Sequence, residues 1–161
     1  MKKTNTQPAN FSVFSKGTEK DIVSEVDCGM QSKKSTILLI EDNEIALKIL
    51  EVLVRSIGLS FISATSGEDA LKLAQKNDFG FIISDIGLPG ISGIEFTKQF
   101  RSWEQVQHKK TPTPIIGLTA HAEGNVHQQC IDAGMNEVFV KPMLLPNLKI
   151  ILSKIGILPK I

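Results

Sequence analysis

The stretch FIISDIGLPGISG, residues 81–93, decides the fold because it joins a buried strand to a tight loop through one carboxylate. The apolar run at 81–83 is typical of a strand that is covered on both faces of a sheet. Asp85 ends this run, and the glycines and proline that follow predict a turn. An acid at the end of a buried strand needs a partner or a function, and other parts of the sequence indicate which.

Strand and helix patterns alternate five times along the chain. Strand patterns cover residues 36–40, 59–64, 79–84, 114–120 and 136–140. Helical patterns cover residues 43–58, 93–103, 122–133 and about 144–155. Between the first two of these, a further helix is predicted to open with a capping box at 65–68. Parallel strands joined by right-handed crossovers predict an α/β fold with a doubly wound sheet and helices on both faces.

The spacing of apolar residues predicts which helix faces are buried. The predicted faces are Ala46, Ile49, Leu50, Leu53 and Ile57 in the first helix, Phe96, Phe100 and Trp103 in the third, and Leu148, Ile151, Leu152 and Ile155 in the last.

The composition limits the classes of protein that the chain can represent. Of its 161 residues, 42% are hydrophobic and 22% are charged, an ordinary balance for one globular domain with some extra length. The net charge of +1 gives no basis for direct nucleic-acid binding. The sequence has no pattern of a signal peptide or membrane span, so we expect a cytoplasmic chain without membrane contact. Cys28 and Cys130 belong to no CxxC pair, so we expect both thiols to be reduced.

The polar start of the chain differs from the rest. Residues 1–34 show no lasting hydrophobic period, which predicts a disordered tail or linker. We assign residues 35–156 to one folded domain and 157–161 to a short C-terminal tail, which leaves no room for a DNA-binding output domain.

Polar side chains lie at the carboxyl ends of four of the five predicted strands: Glu41 and Asp42 at the first, Asp85 at the third, Thr119 at the fourth and Lys141 at the fifth. Ligands of open parallel sheets bind beyond the carboxyl ends of the strands, so we expect these groups to share one crevice. Two carboxylates about 4 Å apart repel each other by roughly 4 kcal/mol near a protein surface. A hard divalent ion such as Mg²⁺ is therefore the natural second cation beside the lysine.

Each of these residues alone has a simpler explanation. An Asp before a Gly/Pro turn is usually a turn residue, and a Glu-Asp pair before a helix usually caps it. Thr119 alone would be a strand-end hydroxyl, and Lys141 a surface lysine. Their joint placement favours a site in which Asp85 lies next to a metal that the backbone carbonyl of Gly87 also reaches.

Four motifs resemble those of the receiver domains of two-component response regulators, over about residues 36–155. They are LLIEDN at 38–43, SDIGLPGISG at 84–93, GLTA at 117–120 and VFVKP at 138–142. The sequence from residue 113 to residue 143 is similar to the sequences of the receivers attached to hybrid histidine kinases. The resemblance implies a flavodoxin-like sheet of order 2-1-3-4-5 and a function in a two-component or phosphorelay pathway.

The resemblance also implies residue roles. Asp85 would accept a phosphoryl group from a phosphohistidine on a histidine kinase or histidine-phosphotransfer domain. Mg²⁺ would be bound by Asp42, Asp85 and the carbonyl of Gly87, with Glu41 acting through a water. The protein would catalyse only its own phosphorylation and dephosphorylation, and would otherwise not be an enzyme.

The remaining implied roles concern the later strands. Lys141 would contact the phosphoryl oxygens, and the Lys141–Pro142 bond would be cis. Thr119 would hydrogen-bond the phosphoryl group and move toward it. Receivers usually carry an aromatic switch residue where this chain has Val138, and Phe139 should point to the opposite side of the strand.

Because of this departure, the signal would travel through Thr119 and the weak helix at 122–133, unless packing of Val126 and Ile131 merely holds that helix in place. Gly87 and His121 would flank the path of the hydrolytic water and tune the lifetime of the phosphorylated state.

Two other classes of function stay open from the sequence. The chain could be a phosphate-independent interaction module that kept an acidic pocket, or a hydrolytic enzyme on a flavodoxin-like sheet. No second acid follows Asp85 at the DxD spacing of such phosphatases. The donor histidine should lie on another domain, and a homodimer is an arrangement that the sequence allows.

Overall fold

A computed structural model describes residues 36–121 and 124–158, in which strands and helices alternate throughout. The elements are β1 (Thr36–Ile40), α1 (Glu44–Ser56), β2 (Ser60–Ala64), α2 (Gly67–Lys76), β3 (Phe81–Asp85), α3 (Gly93–Val106), β4 (Ile115–Thr119), α4 (Val126–Ala133), β5 (Glu137–Val140) and α5 (Leu145–Lys154). The predicted tail at 1–34 and Cys28 lie outside the described residues. Cys130 is a free, buried thiol, as predicted.

The five strands form one parallel sheet in the order β2-β1-β3-β4-β5. This confirms the flavodoxin-like order. The mostly apolar strands β1 and β3 lie inside the sheet, where both of their faces are covered, and β3 is buried along its whole length, including Ser84 and Asp85 at its end. The cis form of the Lys141–Pro142 bond is also confirmed.

Two hydrophobic clusters cover the two faces of the sheet. The first contains the buried side chains of α1 and α5, and the second those of α2, α3 and α4. Alternation along β3 sends Phe81 and Ile83 to the first cluster and Ile82 to the second. Phe139 packs on the first cluster and Val138 on the second, so the two residues point to opposite sides as expected.

The buried face of α1 matches the predicted one only in part: Leu50 is buried as predicted, and Leu53 and Ile57 pack against the first cluster. Leu47, Leu50 and Val54 are its buried residues, whereas Ile49 is 50% exposed. The helix carries two apolar stripes, and packing on the sheet selects one of them. Spacing alone could not decide which stripe would face the core.

The start of α2 also differs in detail from the prediction. Ser66, not Thr65, is the N-cap, and its hydroxyl oxygen accepts a hydrogen bond from the backbone N–H of Asp69. The capping motif is therefore one residue later than predicted. Glu68 is left free to contact another part of the chain.

The weak helix was predicted over 122–133, but α4 begins only at Val126. Gly124 has a φ of +85°, a left-handed conformation that a right-handed helix cannot contain. The prediction for residues 122 and 123 lies outside the described residues. Cys130 and Ala133 are the buried residues of α4, and Val126 is only partly buried.

Three aromatic rings line the inner face of α3 as predicted. Phe96 stacks on Phe100 with centroids 5.9 Å apart, and Phe100 stacks on Trp103 at 5.5 Å. Leu148, Ile151 and Leu152 are the buried stripe of α5, as expected, and the C-cap Ile155 is partly buried. No helix among the described residues is long and apolar enough to cross a membrane.

Candidate functional site

The junction between β1 and α1 carries two of the predicted acids. Glu41 is 1% exposed, whereas Asp42 next to it is exposed. The backbone N–H of Asn43 donates to Glu41 Oε1 at 3.2 Å. The Asn43 side chain accepts from Ile45 N and Ala46 N, so the residue that caps α1 also orients the buried glutamate.

The third acid ends β3 and is fixed by the loop that follows it. Asp85 is 6% exposed, and its Oδ1 accepts a hydrogen bond from the N–H of Gly87 at 3.2 Å. A Cβ built on Gly87 would approach nothing closer than 3.9 Å. At this position the chain therefore leaves open space beside the carboxylate.

The three acids converge as predicted. Glu41, Asp42 and Asp85 can each offer one carboxylate oxygen, and these oxygens lie within 4.8 Å of one another. Lys141 Nζ lies 2.6 Å from Glu41 Oε2 and 3.2 Å from Asp85 Oδ2. One ammonium group thus joins the buried acids from β1 and β3.

The lysine is held in its charged form. Burial alone would lower the pKa of Lys141, but the hydrogen bond to Glu41 and the charge of Asp85 outweigh burial and raise the pKa above its ordinary value. Three carboxylates still outnumber the one ammonium group in this cluster. An all-oxygen set with excess negative charge has the donor chemistry that suits Mg²⁺, so the residues present fit a divalent cation.

Thr119 lies at the same edge of the sheet but is bonded elsewhere. Its hydroxyl donates to the carbonyl oxygen of His121 at 2.9 Å and accepts from the N–H of His121 at 3.2 Å. Its carbonyl accepts from Lys141 N at 2.7 Å, which ties the ends of β4 and β5 together. The structure therefore brings Glu41, Asp85 and Lys141 into contact and leaves Thr119 outside that contact.

Sequence reasoning missed the part played by Asn43. An Asn directly before a helical pattern is a common N-cap, and that rule would have found it. It could not have shown that the same residue donates its backbone N–H to Glu41, because that contact depends on the turn between β1 and α1.

Residues 37–153 match the family model of the response regulator receiver domain. The chain belongs to this family. The receiver is 31% identical over 120 residues to the sensor histidine kinase GacS of Pseudomonas protegens, a match that covers 74% of the chain and 13% of that kinase. The chain thus spans only a small part of the kinase's length, and its likeness to the receivers of hybrid kinases is as predicted.

Two solved structures are similar to this receiver. One is the receiver domain of the sensor histidine kinase PA1611 of Pseudomonas aeruginosa, with magnesium in its active-site cleft (32% identity, TM-score 0.68, 77% of this chain and 99% of that one). The other is the co-crystal structure of the Saccharomyces cerevisiae histidine phosphotransfer protein Ypd1 with the receiver domain of Ssk1 (28% identity, TM-score 0.72, 80% and 92%).

Proposed function

We propose that this receiver accepts a phosphoryl group on Asp85 from a phosphohistidine, in a reaction that depends on Mg²⁺. The observation that carries the proposal is the contact of Lys141 Nζ with both Glu41 and Asp85, next to the exposed carboxylate of Asp42. Asp85 would serve there as the acceptor, Lys141 as a cation, and Glu41 and Asp42 as further oxygen ligands, in keeping with membership of the receiver family.

The transfer itself needs position and charge more than covalent help. The Asp85 carboxylate would attack phosphorus, so that an O–P bond forms as the P–N bond breaks. The electron pair of the broken bond stays on the donor imidazole, which then takes up a proton. Lys141 would contact the phosphoryl oxygens, a role supported by the 3.2 Å between its Nζ and Asp85 Oδ2.

Asp42, Asp85 and the Gly87 carbonyl would hold Mg²⁺, with Glu41 acting through a water. When bound, the ion would neutralise charge on the carboxylates and on the phosphoryl oxygens. The fit of the three-acid cluster to a hard cation supports this assignment, and so does the magnesium in the PA1611 receiver.

Thr119 would exchange its present hydrogen bond for one to the phosphoryl group. Its hydroxyl now donates to the carbonyl of His121 on an exposed loop, where the net gain from one hydrogen bond is only about 1 kcal/mol. A phosphoryl oxygen is a charged and therefore stronger acceptor, so the exchange is favourable.

The donor would be a histidine kinase or a histidine-phosphotransfer protein that docks on the outer stripe of α1. Ile45, Ile49 and Val52 lie three or four residues apart and are 75%, 50% and 61% exposed. A cavity of about 100 Å³ lies between this helix and the start of the β5–α5 loop, and Glu41 and Lys141 are part of its lining. Ile49 also lines this cavity, so the stripe reaches Lys141, which contacts Asp85, and it suits a partner that must bring a histidine to the acid.

The chemistry is tested by incubating the protein with phosphoramidate and Mg²⁺ and measuring its intact mass. We expect a gain of one phosphoryl group, which EDTA and Asp85→Asn both abolish. Asp132→Asn, an exposed acid in α4, is the matched control and should react like the parent. If the parent protein gains no mass, the phosphate-independent interaction module becomes the better description.

The docking surface is tested with a phosphorylated histidine-phosphotransfer protein as donor. We expect Ile45→Ser to slow this transfer by about fivefold or more and to leave the reaction with phosphoramidate unchanged. Val106→Ser, at the far end of α3 and 71% exposed, removes a similar apolar side chain and should have no effect on either reaction. Equal transfer rates for Ile45→Ser and the parent would place the donor elsewhere.

A further inference from the structure

The loop between β3 and α3, residues 86–92, is held by the first turn of α2. Glu68 Oε1 accepts a hydrogen bond from the backbone N–H of Ile91 at 3.0 Å. A Cβ built on the buried Gly67 would lie 2.3 Å from the carbonyl oxygen of Ile91. Both backbone polar groups of Ile91 thus meet two consecutive residues of α2.

Local chemistry makes the glutamate available for this contact. Ser66 caps α2 and pairs with Asp69, so Glu68 has no capping role in its own helix. On the loop side, Gly90 has a φ of +71°, and a Cβ there would lie 2.5 Å from Glu68 Oε1. Only glycine at position 90 gives both the turn and the space that the carboxylate needs.

The rest of the loop is fixed by contacts with β3 and the second cluster. Gly93 N donates to the carbonyl of Ile86 at 3.1 Å, and a Cβ on Gly93 would lie 2.2 Å from the Asp85 carbonyl oxygen. Leu88 is buried in the second hydrophobic cluster. Gly87, whose carbonyl is the proposed metal ligand, therefore lies between a fixed strand end and the Ile91 contact.

We propose that Glu68 is a positioning residue for the metal site. By accepting the Ile91 N–H, it orders the loop that presents the Gly87 carbonyl, so that less ordering is needed when the cation binds. The inference rests on the proposed function, because it assumes that Gly87 is a ligand. It concerns metal affinity and not the phosphoryl transfer step.

The experiment compares Mg²⁺ dissociation constants, measured by titration calorimetry on the full chain. We expect Glu68→Ala to weaken Mg²⁺ binding by about tenfold. Glu68→Gln keeps an oxygen acceptor and should bind Mg²⁺ like the parent. Asp69→Ala removes the same charge from the same helical turn and serves as the matched control. Its Mg²⁺ affinity should be unchanged, even if the loss of the Asp69 contact with Ser66 weakens the helix cap.

Two further readouts separate positioning from general stability. In ¹⁵N–¹H spectra, the amide signal of Gly87 should shift in Glu68→Ala but not in Glu68→Gln, and the signal of Ile91, which is bonded to Glu68 directly, should shift more in Glu68→Ala than in Glu68→Gln. The extent of phosphorylation by phosphoramidate at saturating Mg²⁺ should be the same for Glu68→Ala and the parent, because only occupancy of the site has changed.

Other outcomes would overturn the inference. Equal Mg²⁺ affinity of Glu68→Ala and the parent would overturn it while leaving the proposed function intact. Equal losses in Glu68→Gln or Asp69→Ala would show that long-range charge sets the affinity. Loss of phosphorylation at saturating Mg²⁺ in Glu68→Ala alone would mean that the residue acts beyond metal binding. A parent protein that binds no Mg²⁺ would overturn both this inference and the metal part of the proposed function.

Discussion

The edge of the sheet at the strand ends has two halves that are built differently, although each leads into a helix preceded by asparagine. In the acid half, Asn43 has an extended backbone, and its side chain accepts from two N–H groups of α1. In the threonine half, Asn125 has a ψ of 14° and makes no side-chain cap bond to α4. The same residue type therefore caps one helix and leaves the other uncapped.

The threonine half is secured at its far end instead. Arg101 Nε and Nη2 donate to the carbonyl of Gly134, the left-handed C-cap of α4, at 3.0 and 2.9 Å. Arg101 Nη1 in turn donates to the buried Glu104 at 2.6 Å. The difference is that Glu41 and Asp85 each accept a hydrogen bond from a backbone N–H two residues later in the chain, whereas α4 is anchored away from the site and has no side-chain cap next to it.

The largest effect is expected from Gly93→Ala, which tests the acid half. Its Cβ would lie 2.2 Å from the Asp85 carbonyl oxygen and 2.9 Å from Ile86 Cα, so the backbone must shift. We expect the free energy of unfolding to fall by about 3 kcal/mol in urea titrations.

Gly87→Ala is the matched control, because the new Cβ would meet only Asp85 oxygens at 3.9 and 4.0 Å. Its stability should stay within about 0.5 kcal/mol of the parent. Equal stabilities of the two variants would mean that the acid half is not tightly held.

Glu104→Gln tests the distant anchor of the threonine half and should have the next largest effect. Burial would raise the pKa of Glu104, but hydrogen bonds from Thr113 and Arg101 outweigh burial and hold the pKa below its ordinary value of 4.5. A lowered folded-state pKa adds stability above pH 4.5, which is lost as the pH falls through the folded-state pKa. We expect a deficit of about 2 kcal/mol at pH 7 that shrinks below pH 4.5.

The measurement is a series of urea titrations of both proteins from pH 7 down to pH 3. Glu95→Gln, an exposed acid on the same helix, should differ little from the parent at pH 7. A deficit for Glu104→Gln that stayed constant across pH would contradict the assignment to the ionised carboxylate.

The smallest effects compare the two asparagines directly. Asn43→Ala removes an acceptor that serves Ile45 N and Ala46 N and should cost about 1 kcal/mol. Asn125→Ala removes no cap bond and should cost less than about 0.5 kcal/mol. Thermal unfolding of both variants checks this, and equal losses would show that the two halves are capped alike.

The alternation of strand and helix was predictable because each element has its own period and length. The acids at the ends of β1 and β3 were predictable as a cluster because parallel strands end at one edge. The weak start of α4 was indicated by Gly124 and Asn125, although the helix begins later than predicted. The roles assigned to Asp85, Lys141 and Thr119 stay predictions until the phosphorylation experiments are done.

By itself, the sequence determined the α/β class, the succession of elements and the residues at the strand ends, since these depend on local spacing. Only the tertiary structure decided which stripe of α1 is buried, that Glu68 contacts Ile91 and not its own helix, and that Asn43 caps while Asn125 does not. The physical reason is that these choices depend on backbone angles and on neighbours distant in the chain, which a local pattern of residue types does not contain.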